Sequence, residues 1–290
     1  PVFNRLFIAL LLGLALVGCS SAPQEVKPAL WQVEGPKGEK AWLFGTIHAL
    51  PEPVAWKSAK VAEAMKASDL LVLEVASLLY SEKTEEAFAR LAQSEGLPPL
   101  AERVPPDLRD ELAGEMRQSG YRGRELDHFE TWAAALMFQQ AAGARSDADA
   151  KNGIDRAIIR DWKGRTEEFE GAAAQFRIFD GLPEAQQRVL LVDTLMESPH
   201  LKEKLQKLQA AWASGDMDFI AKATDGDFAG QDQLRDALLT RRNLMWIARL
   251  ETIMGGGAKP FVAVGAAHLA GKDGLPALLA AKGYKVTRLQ

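Results

Sequence analysis

Two short motifs, each with a glycine and a histidine, contain the residues best suited to chemistry. Gly45 is followed three positions later by His48, and Gly265 is followed in the same way by His268. Each motif follows an apolar run that predicts a β-strand, and the chain has only four histidines. Taken singly, either motif also fits a turn with a solvated or capping imidazole. Their recurrence at two strand ends, where open α/β sheets bind ligands, favours a shared pocket.

A third candidate is Glu74, which interrupts the apolar run at residues 69–75. This run predicts a strand that is covered on both faces. A buried carboxylate without a partner costs several kcal/mol or is forced to take up a proton, so a neighbouring group must compensate it. Two explanations are open: a salt bridge to a lysine or arginine on a helix, or a role as a metal ligand or catalytic base.

Two imidazoles and one carboxylate with open coordination positions are common ligands of divalent metal ions such as Zn²⁺, Mn²⁺, Co²⁺ and Fe²⁺. The sequence therefore predicts that His48, Glu74 and His268 bind such an ion. A metal ion of this kind lowers the pKa of bound water toward about 7 and polarises a carbonyl group. Hydrolysis is the reaction that these two effects predict.

The elements that must position these residues lie toward both ends of the chain. Strands are predicted at residues 30–34, 41–44, 69–75, 259–264 and 284–289, with a candidate short strand at 166–170. The middle is mostly helical in pattern, divided by glycine and proline. We predict an α/β fold with a central mixed sheet built from N- and C-terminal segments, residues 30–80 and 255–290, and a large helical insertion at about 81–254.

The N-terminal residues are typical of a secretion signal. Arg5 precedes an apolar run at residues 6–17, which is too short to span a bilayer of about 30 Å. The run leads to Gly18 and the lone cysteine, Cys19, in a pattern that resembles a bacterial lipobox. The alternative is a short buried helix with a core cysteine, and no segment that follows supplies a partner for it.

From the lipobox we predict a signal peptide at residues 1–18, lipidation of Cys19 and a polar tether at residues 19–29. The domain then spans residues 30–290. The lipid would anchor the protein to a membrane at the periplasmic face of the cell envelope, and Ser20 favours the outer membrane.

Composition excludes several classes of protein. Hydrophobic residues make up 47% of the chain and charged residues 26%, which is typical of a globular protein with a sizeable core. The formal net charge is −4, so a general nucleic-acid binder, which needs a basic face, is not expected. A single cysteine can form neither an intrachain disulfide nor a four-cysteine zinc site.

The motifs together resemble those of the TraB/PrgY/GumN family, which is related to the Tiki metalloproteases and more distantly to the erythromycin-esterase and ChaN-like fold. The family pattern of two Gly-x-x-His motifs, a glutamate and an arginine maps onto Gly45 with His48, Gly265 with His268, Glu74, and Arg242. The resemblance covers roughly residues 30–290. It implies an α/β core and a hydrolase that uses Mn²⁺, Co²⁺ or Zn²⁺.

The resemblance also extends to the helical middle of the chain. Asp155, in the segment Asn152-Gly153-Ile154-Asp155, and Glu170 and Gln175 match further family positions. We expect Arg242 to clamp a carboxylate or a developing oxyanion. Asp155 or Glu170 is expected to support the metal site and handle a proton, although Asp155 also suits the N-terminal end of a helix dipole.

Taken together, these features predict a metal-dependent hydrolase of the cell envelope that cleaves an amide bond in a peptide or small-molecule substrate. His48, Glu74 and His268 would hold the metal, and Arg242 would stabilise negative charge. Two alternatives remain open. One is an esterase in which a histidine acts as general base without metal, and the other is a non-catalytic protein that binds or sequesters a ligand.

Overall fold

A computed structural model describes residues 23–75 and 81–290 of the chain. The predicted signal peptide and Cys19 lie outside the described residues. The described part of the predicted tether lies against the domain, because Val26 is buried and the amide of Lys27 donates to the carbonyl oxygen of Ala213 (2.7 Å). Within the described ranges, no helix is long and apolar enough to cross a membrane.

The centre of the fold is a six-stranded mixed sheet with the strand order β4-β3-β5-β2-β1-β6. The strands are β1 (Leu30–Glu34), β2 (Lys40–Thr46), β3 (Leu70–Leu73), β4 (Arg165–Glu168), β5 (Pro260–Gly265) and β6 (Lys285–Arg288). The predicted α/β fold class is therefore confirmed. Both ends of the chain supply strands, and β4, the candidate short strand from the middle of the chain, adds one edge.

Strand direction brings three functional candidates to one edge of the sheet. Strands β2, β5, β3 and β4 run parallel, whereas β1 runs antiparallel to β2 and β6. In this register Thr46 pairs with Gly265, and Leu73 pairs with Ala263. The carboxyl ends of β2, β3 and β5 therefore lie side by side, and the residues that follow them project toward the same space.

Helices cover both faces of the sheet and form a further layer. They are α1 (Ala59–Ala67), α2 (Ser81–Leu91), α3 (Arg109–Gln118), α4 (Thr131–Ala144), α5 (Ile154–Asp161), α6 (Ala172–Asp180), α7 (Glu184–Glu197), α8 (Leu201–Ser214), α9 (Met217–Asp227), α10 (Asp232–Arg235), α11 (Arg241–Gly255) and α12 (Leu275–Ala281). A π-helical turn, Asp236–Thr240, joins α10 to α11.

The central strands of the sheet are buried on both faces, which explains the nearly continuous apolar runs of β3 and β5. On one face Phe44 and Phe261 pack with residues of α1, α5, α8 and α9. On the other face Leu43 and Val262 pack with residues of α11 and α12. Burying a side chain of this size contributes about 1.5–3 kcal/mol, so these two layers fix the strands that carry the candidate residues.

A separate core joins α3, α4 and α7 away from the sheet. Trp132 and Phe138 of α4 are fully buried there and pack with Leu191 of α7. This helical layer accounts for much of the predicted helical insertion.

Candidate functional site

The structure brings His48, Glu74 and His268 together at the edge where β2, β3 and β5 end. Glu74 directly follows β3, His48 lies two residues after β2, and His268 lies in the short 3-10 turn Ala266–Leu269 that follows β5. A Cβ atom placed on Gly265 would lie 3.5 Å from Oε2 of Glu74, 3.7 Å from Nε2 of His48 and 3.8 Å from Cδ2 of His268. The absence of a side chain at Gly265 therefore keeps open the space around which these three residues meet.

His48 is oriented by a carboxylate on α5. Its Nδ1 lies 2.8 Å from Oδ2 of Asp155, and the hydroxyl of Thr46 donates to the other oxygen of Asp155 (2.7 Å). Because a carboxylate accepts, Nδ1 carries the proton in this pair and Nε2 faces the open space. Asp155 thus does more than occupy the first turn of a helix: it sets the orientation of the first imidazole.

Close packing of α5 on the loop after β2 makes this contact possible. The amide of Ile154 donates to the carbonyl oxygen of Ile47 (2.9 Å). A Cβ atom on Gly153 would lie 2.2 Å from the carbonyl oxygen of His48, so a larger residue cannot occupy this position without movement of the backbone. The glycine of the Asn152-Gly153-Ile154-Asp155 segment therefore lets α5 approach closely enough for Asp155 to reach His48.

His268 is oriented by Asn243 on α11. The amide nitrogen of Asn243 donates to the carbonyl oxygens of Asp273 (2.7 Å) and His268 (3.3 Å), so its side-chain oxygen is the acceptor. That oxygen lies 2.6 Å from Nδ1 of His268, which assigns the proton to Nδ1 and a lone pair to Nε2. Asn243 was not among the residues selected from the sequence, although it directly follows Arg242.

Arg242 lies buried between two glutamates. Its Nη2 donates to Glu74 (2.6 Å), and its Nε and Nη2 donate to the two oxygens of Glu170 (3.0 and 2.9 Å). Its Nη1 donates to the carbonyl oxygen of Leu238 (3.0 Å) in the π-helical turn and lies 3.2 Å from Nε2 of His268. Of the two explanations for Glu74, the salt bridge is therefore present, and it is made inside the candidate site.

Aromatic rings pack against the ion cluster that Arg242, Glu74, Glu170 and His268 form. The indole nitrogen of Trp246 donates to Glu170 (2.9 Å), and its ring stacks on Phe169 with centroids 5.1 Å apart. The guanidinium of Arg242 lies 4.8 Å from the centre of the Trp246 ring, and the His268 ring lies 4.4 Å from it. Trp246 is buried, and its bond to Glu170 holds that carboxylate in place.

The protonation states of the cluster follow from burial and charge. Burial acts to raise the pKa of Glu74, but the neighbouring His268 and Arg242 outweigh it and lower that pKa to about 2. Burial lowers the pKa of His268 to about 4, in agreement with a neutral ring that donates only through Nδ1. At neutral pH, Glu74 is therefore ionised and His268 is neutral.

The pKa of His48 shifts in the opposite direction from that of His268, because the His48 ring is paired with the carboxylate of Asp155. The charge of Asp155 raises the pKa of His48 to about 9. The side chain is 56% exposed, so water moderates this attraction. At neutral pH the positive charge on His48 compensates part of the negative charge of Asp155 and Glu74.

A cavity of about 320 Å³ opens in front of the cluster. One side is formed by His48, Glu74, Gly265 and His268. Residues of α8 and α9, among them Trp212, also line the cavity. The histidines outside this site, His128 and His200, are exposed. Gln175, another of the family positions, reaches Glu74, because its amide donates to Oε1 (3.3 Å).

The predicted metal ligands are not all free to bind an ion in this arrangement. Within residues 23–75 and 81–290, no group of three or more His, Cys, Asp or Glu side chains is placed so that it could hold a metal. The guanidinium of Arg242 donates to Oε1 of Glu74 and lies against Nε2 of His268. Arg242 therefore already contacts two of the three predicted metal ligands. The donor types suit a divalent cation, but it can bind all three only if Arg242 releases them.

Comparison with known proteins identifies the class. The model of the TraB/PrgY/gumN family matches residues 29–288, and the chain belongs to this family. The family predicted from the motifs is therefore confirmed.

The chain is also similar to two curated proteins of the same name. It is 26% identical over 247 residues to the uncharacterized protein YbaP of Shigella flexneri, a match that covers 84% of this chain and 89% of that protein. It is 26% identical over 240 residues to the uncharacterized protein YbaP of Escherichia coli (strain K12), covering 82% of this chain and 86% of that protein. No solved structure matches the chain.

Proposed function

We propose that this protein hydrolyses an amide bond, most directly a peptide bond, at the site formed by His48, Glu74 and His268. The observation that carries the proposal is the meeting of these side chains around the open space at Gly265, with each imidazole held at Nδ1 by a side chain behind it. Such support fixes the ring and its tautomer, as metal-binding and basic histidines require.

We further propose that the site takes a divalent cation, Mn²⁺, Co²⁺ or Zn²⁺. Nε2 of His48, Nε2 of His268 and the carboxylate of Glu74 would hold it. The charge of the cluster supports this, because three carboxylates surround one guanidinium and two imidazoles. With both imidazoles neutral, a divalent cation would balance the excess negative charge. A cation here would polarise a carbonyl group and make water more acidic.

Arg242 would serve the reaction through its guanidinium. Its bonds to both oxygens of Glu170 hold it in the site when it releases Glu74 and His268. From there it is suited to bind a substrate carboxylate or the negative charge that develops on the carbonyl oxygen. Since Arg242 and Trp246 engage both oxygens of Glu170, that residue positions Arg242 and does not transfer protons.

Asp155 would set the chemistry of His48. By accepting the Nδ1 proton, it directs the lone pair of neutral His48 from Nε2 into the cavity. It also raises the pKa of the ring, so a cation that binds Nε2 must displace a proton at neutral pH.

One observation favours a second candidate function. Arg242 contacts two of the three predicted ligands, which leaves His48, held by Asp155, as a general base once it has lost its proton, and the guanidinium as the oxyanion partner. Because Asp155 raises the pKa of His48 to about 9, this base would act mainly at alkaline pH. This arrangement would suit an esterase that needs no metal.

We also propose a location. The lipobox-like segment around Cys19 supports a protein that is lipid-anchored at the periplasmic face of the envelope, with the outer membrane favoured. Its substrate would then be an envelope peptide or small molecule.

Turnover of model substrates with and without a chelator tests the function. Purified protein is incubated with fluorogenic peptides and p-nitrophenyl esters, before and after treatment with EDTA and after return of Mn²⁺, Co²⁺ or Zn²⁺. We expect peptide cleavage that EDTA abolishes and a cation restores. Ester cleavage that survives EDTA would replace the metal-dependent proposal with the esterase, and no turnover of either set would overturn both.

A further inference from the structure

One wall of the cavity, supplied by α8 and α9, has no part in the proposed chemistry. It is formed mainly by Leu208 and Trp212 of α8 and by Ile220 of α9. Gly215 ends α8 in the left-handed conformation (φ +70°), and the side chain of Asp216 caps α9 by accepting from the amide of Phe219 (2.9 Å). This tight turn fixes the two helices side by side and holds their side chains against the cavity.

Polar atoms on this wall are already engaged. The indole nitrogen of Trp212 donates to the carbonyl oxygen of Gly45 (2.9 Å), which also locks the ring beside the strand that leads to His48. The hydroxyl of Thr224 donates to the carbonyl oxygen of Ile220 within its own helix (2.8 Å). A ligand that reaches Leu208, Trp212 and Ile220 therefore meets apolar surface, and burying apolar groups there is favourable.

The size and charge of the cavity limit what it can take. About 320 Å³ lies at the small end of ligand cavities, which span roughly 300–1,000 Å³. Two carboxylates line it, Glu74 of the ion cluster and Asp227 of α9. Asp227 pairs with Lys204 (2.7 Å), which also pairs with Glu197 (2.9 Å). An acidic group beside α9 would be repelled by the carboxylate of Asp227, because Lys204 is already shared between Asp227 and Glu197.

We propose that the wall of Leu208, Trp212 and Ile220 is a specificity subsite for one short apolar side chain next to the bond that is cleaved. This proposal rests on the proposed function. Substrates with alanine, valine or leucine at that position should be preferred, and those with aspartate should be rejected. Ile220 sets the depth of the subsite, because its side chain is 4% exposed and lines the cavity at α9.

A substrate series tests the subsite. The rates of wild type and Ile220→Ala are measured on N-acetyl-aminoacyl p-nitroanilides of Ala, Val, Leu, Phe and Asp. We expect Ile220→Ala to raise the ratio of kcat/KM for Phe over Ala by roughly tenfold or more, because a hydrophobic pocket discriminates by about that factor per methylene group. Leu208→Phe should shift the ratio in the opposite direction by filling the space.

Ile247→Ala is the matched control for Ile220→Ala. Ile247 is similarly buried (2% exposed, against 4% for Ile220) but lies on the opposite face of the sheet. A ratio measured within one variant does not depend on the fraction that is folded. Equal ratios in wild type, Ile220→Ala and Leu208→Phe would overturn the subsite while leaving hydrolysis intact. No cleavage of any anilide or peptide by wild type would overturn the proposed function itself.

Discussion

Replacing Arg242 with methionine is expected to lower the free energy of unfolding by about 3–5 kcal/mol. The substitution keeps most of the side-chain volume but leaves Glu74 and Glu170 without their shared partner. Their side chains are only 9% and 8% exposed, so water cannot replace the lost bonds. Urea denaturation followed by circular dichroism measures the change.

Arg241→Met provides the matched control. Arg241 is the preceding residue of the same helix, its side chain is 67% exposed, and it pairs with Asp236 at the surface. Removing such a pair should cost less than about 1 kcal/mol. If Arg242→Met were no more destabilising than Arg241→Met, the buried ion cluster would not hold the site together as described.

Substituting alanine for His48 or for His268 is expected to reduce kcat/KM by at least about 100-fold on whichever peptide or ester the wild type cleaves. Each variant removes one of the two imidazole rings that meet at the open space beside Gly265. The effect should fall on catalysis more than on folding for His48, because its side chain is 56% exposed. Rates of the purified variants, with circular dichroism spectra to check the fold, give the answer.

His128→Ala and His200→Ala are the controls, because both residues are exposed and lie outside the site. Their rates should stay within about twofold of wild type, as expected for surface substitutions. Equal losses in all four variants would point to a general effect on the protein. Unchanged rates in His48→Ala and His268→Ala would remove both histidines from the reaction.

The meeting of the two histidines could be predicted from the sequence because it depends on strand ends alone. Parallel strands end at the same edge of a sheet, so Gly45 and Gly265, each at the end of an apolar run, had to come close if β2 and β5 paired. Glu74 followed from the same logic, since it ends the third apolar run. These predictions required only the positions of the apolar runs and the parallel pairing of the strands they predict, and both can be inferred from the order of residues.

The partners behind the site could not be predicted, because they depend on how helices are rotated and docked. Asn243 and Trp246 face the cluster because they lie on the buried side of α11 together with Arg242, just after the π-helical turn Asp236–Thr240. Asp155 reaches His48 only because Gly153 lets α5 approach the loop. A periodic pattern records which side of a helix is buried, but it does not record which polar atom that side will meet.

Isothermal titration calorimetry with Mn²⁺, Co²⁺ and Zn²⁺ tests the central claim most directly. Wild-type protein, stripped of metal, should bind one cation per chain, with affinity that rises from about pH 7 toward the His48 pKa of about 9, because the ligating ring must lose its proton. The double variant His48→Ala, His268→Ala should bind none, and His128→Ala, His200→Ala should bind as wild type does. Failure of wild type to bind any of the three, or equal binding by the site variant, would contradict the claim that these residues form a cation-dependent centre.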